Sequence, residues 1–293
     1  MKVEAECAPC VLQRGLLEIE KATSDPSLQF KAMSALLHLL IREFKPTAVA
    51  AYLGTERDRI VKEITGNPDP YAKAKQISNQ RALEILPTAR NTVLNESSAE
   101  SRFRRACLCS MVGNIMEFDI PDHVFQFKDM EKLIPGAEED LAIDEIPKIF
   151  EVAKRAENVL YLTDNAGEIA LDTLLVQELK SLGARVAVAV KKRPVLNDAT
   201  MEDARYVGMH AVADDVITTG TDSVGLILEE CSYEFLNFYS TADLVVAKGM
   251  GYAETLTEET LTTPHALLLR TKCRPVANFF GVGRNKNVAK MMP

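Results

Sequence analysis

Three short polar segments of this chain carry side chains that could bind a divalent cation and a phosphate. They are Asp164-Asn165-Ala166-Gly167-Glu168, Asn197-Asp198-Ala199-Thr200 and Lys248-Gly249-Met250-Gly251-Tyr252-Ala253-Glu254. Asp164, Asn165 and Asp198 offer the hard oxygen ligands that Mg²⁺ or Mn²⁺ prefers, whereas Lys248 among backbone N–H groups suits a phosphate. A metal ion, a lysine and backbone donors around an oxyanion describe phosphoryl chemistry without a covalent cofactor.

Each segment also has a simpler explanation. Asp198 could cap the helix predicted from Met201, and Asp164 could cap the helix predicted from Ile169. The glycines of the third segment could form a tight turn, because they fit neither the dinucleotide fingerprint nor the P-loop. A functional interpretation therefore depends on the three segments lying close together in the fold.

The elements around these segments predict that closeness. From residue 149 onward helical and strand patterns alternate, which indicates a parallel sheet with helices on both faces. Strands are predicted near 159–162, 184–190, 216–219, 242–247 and 266–270, with an edge strand at 275–277 and a helix after Asp222. Because the carboxyl ends of parallel strands share one side of a sheet, we expect the polar segments to converge there.

The first part of the chain has a different pattern. Residues 11–116 read almost entirely as amphipathic helices, with a cap at Ser24-Asp25-Pro26 and an interruption or kink at Pro87. Residues 119–147 contain prolines, glycine and acidic residues, as expected of a connector. We therefore predict an all-helical domain over 1–140 and an α/β domain over 141–293.

Composition limits the possible partners. The chain has 293 residues, 47% of them hydrophobic, and a formal net charge of −8. This acidic balance argues against a nucleic-acid partner, and no apolar run approaches the ~20 residues of a membrane span. The acidic residues near the N-terminus are unlike a signal peptide, so we expect a cytoplasmic protein with small-molecule partners.

Six cysteines in such a chain do not indicate a disulfide framework. Cys7 and Cys10 have the spacing of a redox pair or half a zinc site, but the strand context of a thioredoxin-like motif is missing. They could equally be buried thiols. Cys107, Cys231 and Cys273 are interpreted as small buried apolar residues.

A glycine and an asparagine interrupt the last predicted helix of the first part, at Gly113 and Asn114. Glycine within a helix costs about 1 kcal/mol relative to alanine, so Gly113 suggests a close backbone contact. A helix C-cap followed by a turn at Asn114 is the simpler explanation, and the sequence by itself favours it.

The three polar segments, in this order and with Gly113-Asn114 upstream, resemble those of the metal-dependent damage-control phosphatases, formerly a family of unknown function. The resemblance covers nearly the whole chain. It implies an all-helical N-terminal domain packed on a Rossmann-like three-layer α/β/α domain with a mostly parallel sheet, with the active site between them. It also implies hydrolysis of small phosphorylated metabolites, such as sugar phosphates, phosphopantetheine-like compounds or damaged metabolites.

The resemblance assigns roles to individual residues. Asp164, Asn165 and Asp198 would bind a divalent ion, which could be manganese, magnesium, cobalt or nickel. As our own hypothesis, we assign catalysis to Asp164, Glu168, Lys248 and Glu254, and substrate binding to Asn114, Lys248, Gly249 and Gly251. Glu168 or Glu254 would orient water or act as base, while direct attack by Asp164 is the minority mechanism.

Some residues depart from the family pattern. Met250 and Tyr252 stand where the family usually has glutamine and asparagine, and Glu117 stands where it usually has aspartate. The Cys7 and Cys10 pair is similar to that of the microbial and archaeal branch. A metal-dependent regulatory protein that binds phosphometabolites without turnover is the alternative, and a nucleotide-dependent oxidoreductase is disfavoured because the glycine fingerprint is missing.

Overall fold

The computed structural model of the chain describes residues 1–113 and 137–293. Five helices make up the first range: α1 (Cys7–Ala22), α2 (Pro26–Glu43), α3 (Ala50–Thr65), α4 (Ala72–Leu94) and α5 (Ala99–Gly113). The second range alternates strands and helices: β1 (Leu141–Asp144), α6 (Ile146–Ala153), β2 (Asn158–Leu162), α7 (Glu168–Ser181), β3 (Arg185–Val190), α8 (Met201–Tyr206), β4 (Asp215–Thr218), α9 (Tyr233–Thr241), β5 (Leu244–Lys248), α10 (Gly249–Leu256), β6 (His265–Arg270), α11 (Arg274–Phe280) and β7 (Asn287–Met292).

The strands form one seven-stranded sheet in the order β1-β7-β6-β5-β2-β3-β4. Strands β2 to β6 are parallel, β7 is antiparallel to β6, and β1 pairs with β7 in parallel. Strand β2 lies between β3 and β5, so the direction of chain progression reverses there. In open α/β sheets this reversal opens a crevice at the carboxyl ends of the strands, in this case β2 and β5.

Helices cover both faces of the sheet, which confirms the predicted α/β/α architecture. On β3, Val186, Val188 and Val190 face one core together with buried residues of α4 to α7, while Ala187 and Ala189 face the other core with α9 to α11. This alternation is the period of two expected of a strand. Helices α1 to α3 have a small core of their own around Ile19, Leu36, Ala32 and Val61. Because α4 and α5 share the core of the sheet, the domain boundary near residue 140 stays a prediction.

Some predicted elements are confirmed and others are wrong. Asp25 caps α2, its carboxylate accepting from the Ser27 N–H at 2.8 Å. Pro87 does not interrupt α4, which runs through it with Ile85 and Ala89 buried on either side, and a kink at Pro87 stays a prediction. None of the helices within the described ranges is long and apolar enough to cross a bilayer.

Three errors concern the second half of the chain. The segment predicted as an edge strand, 275–277, lies in α11, where Pro275 occupies a position in the first turn that suits proline. No helix begins directly after Asp222, because Ser223 and Val224 give their N–H groups to the hydroxyls of Thr221 and Thr55, and α9 begins only at Tyr233. Strands β1 and β7 were not predicted, since they are short or interrupted by polar residues.

Candidate functional site

Two of the three polar segments are joined by backbone hydrogen bonds at the carboxyl ends of β2 and β3. Asn165 and Asp198 form an isolated antiparallel bridge, and the Ala199 N–H donates to the Asp164 carbonyl at 2.8 Å. Strand pairing between neighbouring loops therefore brings Asp164, Asn165 and Asp198 together, as their positions after parallel strands predicted.

The simpler explanation by helix capping does not fit either loop. Helix α7 begins after Gly167 without a side-chain cap. Helix α8 is capped at Thr200, whose N–H donates to the Asp203 carboxylate at 2.8 Å. Asp164 and Asp198 are thus not used to begin these helices.

The amide of Asn165 is oriented so that its oxygen is available to a cation. Its Nδ2 donates to Asp164 Oδ2 at 2.8 Å and to Glu168 Oε2 at 3.0 Å. Both amide hydrogens are therefore used, and Oδ1 faces away from these carboxylates. No three His, Cys, Asp or Glu side chains in the described ranges are placed to hold a metal. A metal site built on Asp164 and Asp198 therefore also needs the amide oxygen of Asn165. Two carboxylates and an amide oxygen are ligands that suit a hard divalent ion.

The third segment packs directly on the first. Gly249 has a φ of +83°, and a Cβ at this position would overlap the carboxylate of Asp164. Glycine is needed there because the left-handed conformation and the close carboxylate both exclude a side chain. Gly249 therefore lies behind Asp164 and fixes the position of that carboxylate.

We expect Gly249→Ala to weaken binding of Mn²⁺ by at least about tenfold, because the new methyl group displaces the Asp164 carboxylate. Gly208→Ala is the matched control, since Gly208 has a similar φ of +77° but no atom within 4 Å of a Cβ. Titration of each purified variant with Mn²⁺, followed by electron paramagnetic resonance, measures the affinity. Equal affinities of the two variants would contradict this role of Gly249.

Lys248 is fully buried beneath the site. Its Nζ donates to Glu168 Oε1 at 2.5 Å, Asp172 Oδ1 at 3.0 Å and the Ser110 carbonyl at 3.0 Å. Burial opposes its charge, but Asp172 and Glu168 outweigh burial and raise the pKa of Lys248. This arrangement differs from the predicted contact of Lys248 with phosphate, because protein oxygens use all three ammonium hydrogens.

Asp172 completes this buried group and was not predicted from the sequence. Its Oδ1 accepts from the Tyr161 hydroxyl at 2.8 Å as well as from Lys248. Burial raises the pKa of Asp172 to about 6, against the opposing effect of the Lys248 charge. The charge of Lys248 is thus shared between Asp172 and Glu168, and Glu168 in turn accepts from Asn165.

A cavity of about 330 Å³ lies beside the bridged loops. Of the predicted site residues, Asp164, Asn165, Asp198, Gly251 and Glu254 line it, whereas Glu168, Lys248 and Gly249 lie behind its surface. Asn114 and Glu117 lie outside the described residues. Gly113 ends α5, and a Cβ there would lie 3.0 Å from Glu168 Cγ, so α5 and α7 approach closely at this glycine.

The cavity also contains cationic side chains that the sequence analysis missed. They are Arg14, Arg57, Lys272, Arg274 and Arg284. Arg57 pairs with Glu18 at 3.0 Å, and Arg274 lies 3.6 Å from Glu6. Lys272 follows β6, so its position after a parallel strand is the signal that could have identified it.

Asn197 also lines the cavity, and no individual role was predicted for it. It is 6% exposed, and its Nδ2 has no hydrogen-bond partner among the described residues. An amide donor that is buried without a partner costs free energy, so such donors are uncommon unless a ligand binds them. Asn197 can therefore donate a hydrogen bond to a molecule in the cavity.

Met250 and Tyr252, the two residues of the lysine segment that differ from the family pattern, lie in different surroundings. Met250 lines the cavity, and its sulfur accepts from the Lys272 N–H at 3.4 Å. Tyr252 is buried, with the Nζ of Lys191 4.5 Å from its ring centre. Lys191 also donates to the Gly225 carbonyl at 2.6 Å and lies 3.6 Å from Asp198 Oδ2. Only Met250 can therefore touch a ligand directly.

Three cysteines lie on the cavity wall, namely Cys7, Cys10 and Cys273. Cys7 is the first residue of α1, and burial raises the pKa of its thiol. Cys107 is buried as predicted, whereas Cys231 and Cys273 are half-buried, because they lie in or before loops at the ends of elements. The six thiols are free, so the redox and the buried-thiol interpretations of Cys7 and Cys10 both stay open.

Comparison with known proteins places the chain in a family. Residues 3–288 match the damage-control phosphatase ARMT1-like domain. The damage-control phosphatase of Archaeoglobus fulgidus is 36% identical over 295 residues, which cover 100% of both chains. That of Pyrococcus horikoshii is 33% identical over 279 residues, or 94% of this chain and 93% of the relative. An uncharacterised protein of Methanocaldococcus jannaschii is 36% identical over 98% of this chain and 95% of its own length.

A solved structure agrees with these relatives. The crystal structure of a DUF89 family protein from Pyrococcus horikoshii has a TM-score of 0.86 and 32% identity, with 99% of this chain and 98% of that chain covered. The family match spans both the helices α1 to α5 and the sheet with its polar segments. This chain therefore belongs to the ARMT1-like damage-control phosphatase family.

Proposed function

We propose that this chain is a metal-dependent phosphatase that hydrolyses small phosphorylated metabolites. The observation that carries the proposal is the meeting of Asp164, Asn165 and Asp198 at a cavity whose wall bears arginines and a lysine. Hard oxygen ligands beside cations suit a divalent ion and a phosphate together. Membership in the damage-control phosphatase family supports the same activity.

The ion would be held by the carboxylates of Asp164 and Asp198 and by the amide oxygen of Asn165. A divalent ion bound there, whether Mn²⁺, Mg²⁺, Co²⁺ or Ni²⁺, would supply positive charge to the phosphoryl oxygens and to the attacking water. The chain keeps these ligands in place through the backbone bridge, the Gly249 contact and the hydrogen bonds of Asn165.

Phosphate binding is assigned to residues that reach the cavity. Lys272 takes the role predicted for Lys248, because it lines the cavity at the end of β6. The Asn197 amide and the backbone around Gly251 supply further donors. The cavity lining carries five cationic side chains and four carboxylates, so a divalent ion bound at Asp164 and Asp198 would leave the cavity positive and would favour dianionic esters. The substrate-binding role of Asn114 stays a prediction.

Glu254 is the proposed general base. It lines the cavity one turn into α10, whereas the carboxylate of Glu168 is used by Lys248 and Asn165. Glu168 thus acts as a positioning residue for Asn165, and Glu254 takes the proton of the attacking water. Direct attack by Asp164 is separated from this mechanism by turnover in isotopically labelled water, because a phospho-aspartate would place solvent oxygen in the carboxylate.

The size of the cavity limits the substrate. At about 330 Å³ it lies near the lower end of ligand pockets, which span roughly 300 to 1,000 Å³. Val11, Val224, Met250 and Pro275 give it apolar stretches beside the charged ones. Sugar phosphates and phosphopantetheine-like compounds, including damaged forms, combine these features in small molecules.

The test is release of inorganic phosphate from a panel of such esters with each of the four ions. We expect release to need an ion and to fall by about 100-fold in Glu254→Gln, which removes the base but retains the shape of the side chain. Binding of esters with Mn²⁺ but without release would favour a regulatory phosphometabolite-binding protein. Release at full rate after chelation of the ion would contradict metal dependence.

A further inference from the structure

The loop that carries Asn197 and Asp198 contains a backbone conformation that is unusual for its residue type. Leu196 has a φ of +46°, in the left-handed region. A leucine in that region is disfavoured, because its Cβ lies too close to the backbone. Asn285 is the other non-glycine residue with a positive φ in the described ranges, and asparagine tolerates it better. Something must therefore hold Leu196 in place.

Two side chains of helix α3 hold this loop. Asp58 is fully buried, and its Oδ1 accepts from the Leu196 N–H at 3.0 Å. Its Oδ2 pairs with Lys62 at 2.5 Å, one turn further along the helix, and Lys62 Nζ donates to the Pro194 carbonyl at 2.7 Å. The buried carboxylate and its lysine therefore contact the backbone on both sides of Val195.

The held segment leads directly to the predicted ligands. Val195 and Leu196 pack against Tyr71, and the Asp198 N–H donates to the Val195 carbonyl at 3.1 Å. Since Leu196 immediately precedes Asn197, its left-handed turn sets the direction in which Asn197 and Asp198 leave the loop. A change in the φ of Leu196 would therefore change the direction of both side chains relative to the cavity.

The first ligand loop is held in a similar way from helix α4. Gly167 has a φ of +80°, and its N–H donates to Asn79 Oδ1 at 2.7 Å. Asn79 is 3% exposed and also donates to Asp203 Oδ1 at 2.7 Å. Each loop that carries a predicted ligand thus has a left-handed residue whose N–H donates to a buried side chain of the helical part.

We propose that Asp58, with Lys62, is a positioning residue of the metal site. It holds Leu196 in its left-handed conformation, so that Asp198 reaches the ion that Asp164 and Asn165 also bind. The proposal deepens the proposed function and rests on its metal site. Asp58 touches neither ion nor substrate and acts only through the conformation of the loop.

Two readouts besides activity test the proposal on the full chain. In Asp58→Ala, we expect Mn²⁺ affinity, measured by electron paramagnetic resonance, to fall by about 10- to 100-fold. In the absence of Mn²⁺, amide hydrogen exchange over residues 191–200 should be faster in Asp58→Ala than in the wild type, because the Leu196 N–H loses its acceptor. Lys62→Met, which keeps Asp58 and lies nearer the surface, should change both measurements in the same direction and serves if Asp58→Ala fails to fold.

A second substitution identifies backbone strain as the cause. Leu196→Gly, introduced into Asp58→Ala, should recover Mn²⁺ affinity by at least about fivefold, because glycine adopts the left-handed conformation without the steric cost. A purely structural role of Asp58 predicts no such recovery. Failure of Leu196→Gly to recover affinity would therefore overturn the proposal.

Arg59→Ala is the matched control on the same helix. Arg59 pairs with Asp222 at 2.7 Å and with Glu230 at 2.5 Å, so its loss removes contacts to the segment after β4 but none to the ligand loop. We expect Mn²⁺ affinity and exchange over 191–200 to stay as in the wild type. An equal loss of affinity in Arg59→Ala and Asp58→Ala would overturn the proposal. Wild-type protein that binds Mn²⁺ but releases no phosphate would refute the proposed function alone.

Discussion

Asp164→Asn should lower metal-dependent release of phosphate by at least about 1,000-fold in a protein that still folds. The asparagine retains the size of the side chain that packs on Gly249, but it removes one of two carboxylates from the proposed ion site. Loss of one hydrogen-bond donor to a transition state already costs roughly 100- to 1,000-fold, and a bound ion makes several such interactions. The assay is phosphate release at saturating Mn²⁺, with folding checked by thermal unfolding.

Asp243→Asn is the control for this experiment. Asp243 lies at the opposite end of strand β2, where its carboxylate accepts from the N–H groups of Glu157 at 3.0 Å and Asn158 at 2.8 Å. Its substitution removes the same charge and weakens comparable hydrogen bonds, yet it should leave release within about threefold of the wild type, since surface changes far from a site act mainly on stability. Full activity of Asp164→Asn would remove the basis of the site.

Convergence of the ligands could be predicted from the sequence because it depends on a rule of topology. Parallel strands end on one side of a sheet, so polar residues after β2 and β3 had to meet once those strands were recognised. The apolar runs that form these strands are clear, and their buried residues occupy the positions expected. Prediction of this closeness therefore needed only local patterns and one property of α/β sheets.

Lys248 ends β5 and Lys272 follows β6, but the contacts of these two lysines could not be predicted from the sequence. Leu244, Val246 and Lys248 alternate along β5, and the first two face the core shared with α5 and α7. Lys248 follows the same alternation and points toward Glu168 and Asp172 beneath the cavity. Lys272, two residues beyond the end of β6, reaches the cavity instead. Alternation therefore accounts for the burial of Lys248, whereas Lys272 lies beyond the end of its strand and owes its place on the cavity wall to the loop that follows.

Contacts made by the helical part are harder to predict. Asp58 and Asn79 lie in ordinary helical sequence, and each accepts from the backbone of a loop more than 80 residues away. Local periodicity indicates which face of a helix is buried but not which loop it meets. The sequence therefore predicted that Asp164, Asn165 and Asp198 lie together but not the side chains that hold their loops in position.

Lys248→Met should destabilise the folded protein by about 3 to 5 kcal/mol in the free energy of unfolding at neutral pH, because it leaves buried carboxylates without their cation. Glu168 and Asp172 are both fully buried, and each lies within 3.0 Å of the Lys248 ammonium. The methionine fills most of the space, so loss of charge rather than a cavity causes the effect. Chemical denaturation of the wild type and the variant measures it.

The pH dependence of this loss follows from Asp172. Burial raises its pKa to about 6 in the folded protein, above the ~3.9 of an exposed aspartate. A raised pKa means that the folded state binds the proton of Asp172 more tightly than the unfolded state does. The stability that this proton contributes is fully present below pH ~3.9 and is lost as the pH rises through about 6. Without Lys248 the pKa of Asp172 rises further. The variant should therefore be closest to wild-type stability at acidic pH and furthest from it at mildly alkaline pH.

A double variant separates the effect of the Lys248–Asp172 charge pair on stability from the effect of side-chain packing. Asp172→Asn removes one buried carboxylate but keeps an acceptor for the Tyr161 hydroxyl, which bonds Asp172 at 2.8 Å. Combined with Lys248→Met, it should restore at least about 1 kcal/mol, because residues in one ionic network do not act additively. Strict additivity of the two losses, with no dependence on pH, would show that Lys248 contributes through packing. The recovery we expect would instead identify Lys248 as the buried counter-ion of Asp172.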